Sequence, residues 1–407
     1  MLQDKRILIG VTGSVAAYKA CDLIQRLKEK GAEVRVVITP SAARLVHPNT
    51  FAALSGSPVV EDAWTDVANG IMRHIELARW ADLFVIAPCT AHTLAELSLG
   101  FTGSIISTTA LAYDGPMMVA PAMNTVMLES APVREHLRRL SSRGISVLPT
   151  ASGDLACGEV GEGKLITPEE IVAYIDLFLE FGKAVPNLKG KKVLISGGHT
   201  EEPLDGVRFL SNRSSGKTAI AIARAFAWNG ANVHLILGVA DEEPPAGIRT
   251  SRVQTSAEFK SAMTENQKDS DVVIMAAAIA DFVPVKSGSG KWKDSHLLKN
   301  LELKPSLNIL EALGQSKTPD QILVGFALET ESAAIRAREK MVAKNCDLMV
   351  VNTPLSYAGQ GFGTDQVEAA ILNAGYQTDS DQLTLMGKNT LAVHLVRQVA
   401  ERLGPEK

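Results

Sequence analysis

KRILIGVTGS (residues 5–14) and KKVLISGG (residues 191–198) are two versions of one phrase: a basic start, a short apolar run, and a turn containing glycine. Each leads through a helical stretch and a glycine stop into a second apolar run, GAEVRVVI at 31–38 and GANVHLIL at 230–237. Strand, helix and strand in that order make a βαβ unit, whose parallel strands are covered on both faces and so read as continuous apolar runs. Further strands read at ADLFVIAP (81–88), PMMVAPAM (116–123) and ISVLPT (145–150), and in the second half at DVVIMAAA (271–278), QILVGFAL (321–328) and CDLMVVN (346–352). A helix over about Pro168 to Phe181 closes the first half, and GKAVPNLKGKK (182–192) has the Gly, Pro and Lys content of a linker. The expected fold is α/β, with two Rossmann-like doubly wound parallel-sheet domains at 1–188 and 189–407.

A chain of 407 residues exceeds what one core organises, which agrees with two domains. Hydrophobic residues at 46%, charged residues at 21% and a net charge of −4 describe an ordinary globular protein, with no basic patch for nucleic acid. The N-terminus lacks a basic start followed by an apolar core, and no apolar run is long enough for a membrane span, so a cytoplasmic location is expected. The four cysteines, Cys21, Cys89, Cys157 and Cys346, are scattered without a C-x-x-C pair, which indicates neither a disulfide framework nor a zinc site.

The first βα turn, Gly10 to Ser14, lacks the full dinucleotide fingerprint, and the second strand ends at Thr39-Pro40-Ser41 where a nicotinamide site would place an acid. Gly13 and Ser14 at a helix N-terminus, with Ser41 nearby, suit one phosphate monoester, for which FMN is the candidate; a plain βα turn with capping serines reads equally well. His74 precedes the strand 81–88. Asn124 follows a strand among apolar neighbours, where a buried amide needs a partner. Cys157 sits among four glycines in SGDLACGEVGEG (152–163), placed to close over a substrate and deliver a proton.

Together GSVAAYKA, APCTAH, PAMNTVM and LACGEVGEGK resemble the flavin-containing cysteine decarboxylases, the family of phosphopantothenoylcysteine decarboxylase. The resemblance implies a flavodoxin-like FMN-binding domain that oxidises a cysteine-derived thiol, releases carbon dioxide and reduces the product. It implies His74 as active-site histidine, Asn124 as carboxylate holder and Cys157 as proton donor, with Gly13, Ser14, Ser41, Pro88, Thr90, Ser107 and Thr108 around the cofactor. Cys89 and His92 stand where that family has Ala and Asn, and Thr102-Gly103 where it has an acidic or amide pair.

In the second half, FLSNRSSGKTAI (209–220) ends like a phosphate-binding P-loop, but Ser211 stands where the first glycine belongs and no buried strand leads directly into it. Asp281 reads as the end of the apolar strand VVIMAAAIAD, Lys291 lies in a Gly/Ser loop, and the polar stretch Lys286 to Lys299 reads as a mobile loop. Arg336, Lys340 and Lys344 recur at i, i+4, a like-charge stripe that either a polyphosphate or nearby glutamates would relieve.

EPLDGVRFLSNRSSGK, AAAIADFVPV, GKWK, GFALET and the Lys340/Lys344 pair resemble phosphopantothenate–cysteine ligase. By that resemblance CTP, with Mg2+ on its phosphates, activates 4′-phosphopantothenate as an acyl-cytidylate and cysteine displaces CMP. Asp281 and Phe326 would then contact the nucleotide, Lys340 and Lys344 its phosphates, while Asn212 and Lys291 would act at the reacting acyl group. The Lys-Thr pair at 217–218 becomes incidental in this reading. His199, Glu201 and Gly206 depart from the family's Pro, Arg and Pro. The combined resemblance implies coenzyme A biosynthesis by a large homo-oligomer, with trimeric flavodomains and dimeric ligase domains. The competing expectations are a chain in which one half survives only as a binding or assembly module, and a P-loop ATPase joined to a flavodoxin-like domain.

Overall fold

The computed structural model describes residues 2–64, 70–182, 186–292, 300–329, 332–353, 364–374 and 382–404. The chain separates into two compact units, Met1–Leu179 and Glu180–Lys407.

In the first unit five strands form one parallel sheet: β1 (Arg6–Val11), β2 (Glu33–Ile38), β3 (Leu83–Cys89), β4 (Met117–Pro121) and β5 (Ser146–Val147), in the order β2-β1-β3-β4-β5. That order is the flavodoxin-like one, and it places the topological switch at β1 and β3. β3 is buried along its whole length, as a central parallel strand must be when helices cover both faces. The helix Lys19–Glu29 buries Ala20, Leu23, Ile24 and Leu27, the i, i+3, i+4, i+7 spacing that turns one stripe to the sheet. Leu8, Phe84, Ile86, Val119 and Leu94 meet in the core. Each such side chain contributes about 1.5–3 kcal/mol by leaving water.

ISVLPT forms far less strand than its apolar pattern suggests. Only Ser146 and Val147 pair with β4, and although Leu148 N–H still reaches the Val119 carbonyl at 2.9 Å, Pro149 has no N–H to continue the ladder. The chain turns instead into an antiparallel hairpin, β6 (Thr150–Asp154) and β7 (Val160–Leu165), which contains Cys157 in its turn. The helix Pro168–Phe181 follows where its spacing places it.

In the second unit an eight-stranded sheet is built from β8 (Lys192–Gly197), β11 (Asn232–Leu237), β12 (Arg249–Arg252), β13 (Val272–Met275), β16 (Ile322–Leu328), β17 (Leu348–Thr353), β18 (Gln366–Asn373) and β19 (Thr384–Gly387). Its order is β12-β11-β8-β13-β16-β17-β18-β19, parallel as far as β17. The last two strands run antiparallel, an addition that the βαβ reading did not foresee because antiparallel neighbours need no crossover helix. Two short ribbons sit outside the sheet, β9 (Glu201–Pro203) with β10 (Phe209–Ser211) and β14 (Phe282–Pro284) with β15 (Leu303–Pro305). The helix Lys217–Trp228 is buried continuously from Ala219 to Phe226, between the sheet and the helix Lys388–Leu403. Part of the stretch Lys286–Lys299 expected to be a mobile loop, residues 293–299, lies outside the described residues.

Candidate active sites

The carboxyl ends of β1 to β4 share one edge of the first sheet, where α/β folds bind ligands. At the switch point Thr12 ties two strand ends together: its N–H and Oγ1 both donate to the Pro88 carbonyl, at 3.3 and 2.8 Å, and Thr90 N–H donates to Oγ1 at 3.0 Å. The Ala87–Pro88 peptide is cis. A Cβ at Gly13 would lie 2.4 Å from Ser41 Cβ, so only glycine lets the β1 turn and the short helix Pro40–Ala43 after β2 come this close. Ser14 Oγ accepts Ala16 N–H at 3.3 Å and keeps its own proton to donate, while Thr90 Oγ1 caps the helix Ala91–Leu99. These residues form one cradle. Ser107 and Thr108 are differently placed, since both hydroxyls donate to the Ser104 carbonyl in the first turn of the helix Ile105–Ala112.

The departures at 89, 92 and 103 have visible consequences. Cys89 is fully buried, and burial, then the Glu96 charge, pushes its thiol far above the ordinary range, so it packs and does not react. Glu96 is buried, accepts from Ser104 Oγ at 3.0 Å, and its Oε1 lies 2.3 Å from where a Cβ on Gly103 would be. The carboxylate from the helix 91–99 thus fills the place of the missing side chain at 103. His92 is exposed and lies 3.4 Å from the same carboxylate.

Asn124 and Cys157 come together. Asn124 Oδ1 accepts Val126 N–H at 2.8 Å, which fixes the amide with Nδ2 directed to the hairpin. Nδ2 donates to Glu159 Oε2 at 2.6 Å and reaches Cys157 Sγ at 3.4 Å, and Sγ lies 3.6 Å from the same Oε2. Glu159 was not a candidate from sequence, although its place two residues after Cys157 in a tight turn was a usable signal; Leu155 N–H to the Glu159 carbonyl closes that turn at 2.8 Å. His74 is the second residue of the helix Arg73–Trp80, which leads into β3, so the start of that helix lies at the carboxyl edge. Its Nδ1 is buried without a hydrogen-bond partner among the described residues, and no bond links it to the Asn124 group.

In the second unit the switch lies between β8 and β13. β13 ends at Met275, and Asp281 is not the strand end that the apolar run suggested. The intervening residues leave the sheet because other groups take their polar atoms. Ser196 Oγ accepts Ala277 N–H at 3.2 Å, Thr200 Oγ1 accepts Ala280 N–H at 3.0 Å, and Asn212 Nδ2 donates to the Ile279 carbonyl at 3.0 Å. Asp281 itself is exposed, and its carbonyl accepts Ser306 N–H at 2.8 Å.

A cleft of about 210 Å³ opens beside this switch, lined by Arg213 to Ala219, Ala276 to Ala278, Phe326, Asn352 and Lys388 among others. Its floor is the start of the helix Lys217–Trp228, whose N-cap Gly216 has φ +76° and offers no side-chain cap. The N–H groups of the first turn are therefore free for an anion, and the helix dipole favours negative charge there. Lys217 and Lys388 add two cations. The Asp365 hydrogen bond holds the Lys217 ammonium above its ordinary pKa, whereas burial, then the charge of Lys217, pushes that of Lys388 down. The Lys-Thr pair is thus part of the cleft and not incidental to it, although the loop before it is no Walker turn. His199 Nδ1 lies 2.6 Å from the Ser214 carbonyl, and since a carbonyl only accepts, that nitrogen carries the proton.

The other candidates are dispersed. Lys340 is paired with the buried carboxylate of Glu329, which also lies 3.9 Å from Arg336, so a glutamate relieves the like-charge stripe. Lys344 caps the C-terminus of the helix Ala333–Ala343, and neither lysine lines the cleft. Lys291 is exposed on the segment that runs to Trp292.

Residues 1–180 match the family model described as Flavoprotein, and residues 188–403 match the DNA/pantothenate metabolism flavoprotein C-terminal domain. The chain is 38% identical over 402 residues to the coenzyme A biosynthesis bifunctional protein CoaBC of Bacillus subtilis, covering 98% of each chain. It is 35% identical over 406 residues to the protein of that name from Escherichia coli, again covering 98% of each. A solved C-terminal domain of a protein so named is 30% identical, with 53% of this chain and 97% of that chain covered and a TM-score of 0.45. Among the described residues no helix is long and apolar enough to cross a membrane.

Proposed function

The chain belongs to the family of coenzyme A biosynthesis bifunctional proteins, and from that premise we propose which residues perform each of its two activities. It is a decarboxylase and a ligase of coenzyme A biosynthesis, with FMN as cofactor. We assign decarboxylation of 4′-phosphopantothenoylcysteine to residues 1–188. Residues 189–407 make that compound from 4′-phosphopantothenate, cysteine and CTP.

FMN fits the first unit on the chemistry of the cradle: a turn that only glycine can form at 13, a free hydroxyl proton on Ser14, and Ser41 and Thr90 at neighbouring helix starts. Bound there, it supplies a reversible two-electron oxidation of the substrate's thiol. Asn124 Nδ2 binds the substrate carboxylate, and the carboxylate of Glu159 now on that nitrogen supports this role. Cys157 Sγ–H delivers a proton to the carbon left after carbon dioxide departs, and Glu159 Oε2, which accepts from Sγ–H, orients that thiol. His74 Nδ1 is a polar atom kept for the ligand.

In the second unit the first turn of the helix Lys217–Trp228, with Lys217 and Lys388, binds the triphosphate, and Phe326 bounds the nucleotide. These two lysines take the task first expected of Lys340 and Lys344. Mg2+ would be held by the triphosphate oxygens and would offset their charge, and Asp281, outside the cleft lining, is assigned a contact with the nucleotide. A carboxylate oxygen of 4′-phosphopantothenate attacks the α-phosphorus of CTP and pyrophosphate leaves; the amine of cysteine then attacks the acyl carbon and CMP leaves. Asn212 and Lys291 act on the acyl group, where positive charge and hydrogen-bond donors stabilise developing negative charge.

The Asn124, Cys157 and Glu159 group is the observation that supports the assignment most directly. Its test is an assay of the whole chain with 4′-phosphopantothenate, cysteine and CTP, following CMP and carbon dioxide separately. Cys157→Ser is expected to release both yet yield no 4′-phosphopantetheine. Full yield from that variant would remove Cys157 as proton donor. The same proposal includes a cytoplasmic homo-oligomer of trimeric flavodomains and dimeric ligase domains; exposed Val15, Tyr18, Phe101, Leu111 and Val126 are apolar surface that such contacts would cover.

A further inference from the structure

We propose that Asp205 is a positioning residue of the ligase: it seats the segment that presents Lys291. The inference rests on the reading of Lys291 given above and extends it to a residue with no part in the chemistry.

The Asp205 side chain is fully buried, at 0% exposure. A buried carboxylate is costly unless its oxygens are satisfied, and here they are. Oδ1 accepts the N–H groups of Val207 and Arg208, both at 2.8 Å, which folds the turn between β9 and β10. Those two bonds are local and would form equally well in an exposed turn. Oδ2 makes the bond that sequence proximity cannot explain, accepting Trp292 N–H at 3.0 Å from 87 residues away. Trp292 follows Lys291 directly, so this bond fixes the backbone beside the Lys291 Cα.

Three other contacts seat the same segment. Gly288 N–H donates to the Leu204 carbonyl at 3.1 Å, and Arg208 Nη2 donates to the Trp292 carbonyl at 3.4 Å. A Cβ on Gly206 would stand 2.3 Å from the Ser289 carbonyl oxygen. At this glycine the two segments are thus too close for a side chain to fit between them. The turn also leads through β10 directly to Asn212, which is held by the Ile279 carbonyl. Asn212 has this separate anchor, so the seat made by Asp205 is read through Lys291. Misplacing a reacting group by about 1 Å can cost a factor of about 100 in rate, so this seat sets how well Lys291 works.

The test uses the full chain in five forms: unaltered, Asp205→Ala, Asp205→Asn, Lys291→Ala and the Asp205→Ala/Lys291→Ala double variant. Tryptic cleavage after Lys291, CMP release, and the KM for CTP are measured on each form that applies. Asp205→Ala is expected to become several-fold more cleavable after Lys291 and to lose about tenfold or more in kcat for CMP release, with the KM for CTP little changed. In the Lys291→Ala background, adding Asp205→Ala should cost nothing further, because a residue acting only through Lys291 has nothing left to position. Asp205→Asn, which retains an acceptor oxygen, should recover part of the rate. Multiplicative losses in the double variant would overturn the proposal, as would unchanged cleavage after Lys291 in Asp205→Ala. Full CMP release by Lys291→Ala is a different failure: it would remove Lys291 from the reaction, and with it the purpose of the seat, while the cleavage result would still report the docking itself.

Discussion

The amide of Asn124 holds the carboxylate of Glu159 at 2.6 Å, with Cys157 Sγ 3.4 Å from the same nitrogen. A group proposed to grasp a substrate carboxylate is thus already grasping one from its own chain. Substrate has to displace it.

Glu159→Ala removes that competitor. A hydrogen bond involving a charged group is worth about 1.5–3 kcal/mol, less when exposed as here, so the KM for phosphopantothenoylcysteine should fall about three- to tenfold. Formation of 4′-phosphopantetheine should slow, because Cys157 loses its nearest acceptor. Steady-state release of carbon dioxide and product by the variant measures both, and a raised KM would count against the competition.

Of the four thiols, Cys157 alone is exposed. Burial pushes Cys346 up to about 12, raises Cys21, and raises Cys89 further still. Because the thiolate is the reactive form, a thiol reagent at mildly alkaline pH should label one site rapidly, and Cys157→Ser should abolish the fast phase. Peptide mapping that located the fast label elsewhere would contradict the exposed position of Cys157.

Lys217→Ala and Lys388→Ala should each raise the KM for CTP by about 10- to 100-fold, the loss of one charge-assisted phosphate contact, with the effect shrinking at high salt. Lys340→Ala should change it by less than about threefold, since that ammonium lies outside the cleft lining and is paired with the buried Glu329. Initial rates of CMP release across a CTP titration separate the two outcomes, and the reverse ranking would restore the phosphate role to the helix 333–343.

The seat formed by Asp205 has a definite pH dependence. Burial tends to raise its pKa, but the N–H groups of Trp292, Val207 and Arg208 and the Arg208 charge outweigh it and hold the carboxyl below the ordinary value. For a depressed acid the stabilisation is present in full above the unfolded pKa, about 3.9, and fades as pH falls through the folded one. Protection of residues 288–292 in hydrogen exchange should therefore persist at about pH 5 and fail only below the usual carboxylate range. Asp205→Asn should show no such transition.

The doubled strand-helix-strand phrase was enough to read the central parallel strands of both sheets, because buried parallel strands are apolar throughout, but not the outer strands β12, β18 and β19. Asn124 and Cys157 were legible for a similar reason: polar residues amid apolar or glycine-rich neighbours need an explanation. The sequence left open whether a polyphosphate or nearby glutamates relieve the lysine stripe, and Glu329 on Lys340 is the second of these. What could not be read were pairings set by tertiary packing, such as Glu96 in the space at Gly103 and Lys388 beside Lys217, which periodicity does not encode. Asp281 misled because an apolar run continued past Met275, where side-chain acceptors draw the chain out of the sheet.

Gly206 and the Ser289 carbonyl stand too close for any side chain to be added at 206 without moving the opposite strand of the loop. The two positions are thus coupled: a proline at 206 and the present course of the 286–292 segment exclude one another. A side chain there would be tolerated only after that segment had shifted, so substitutions meant to stabilise the protein should leave this site alone.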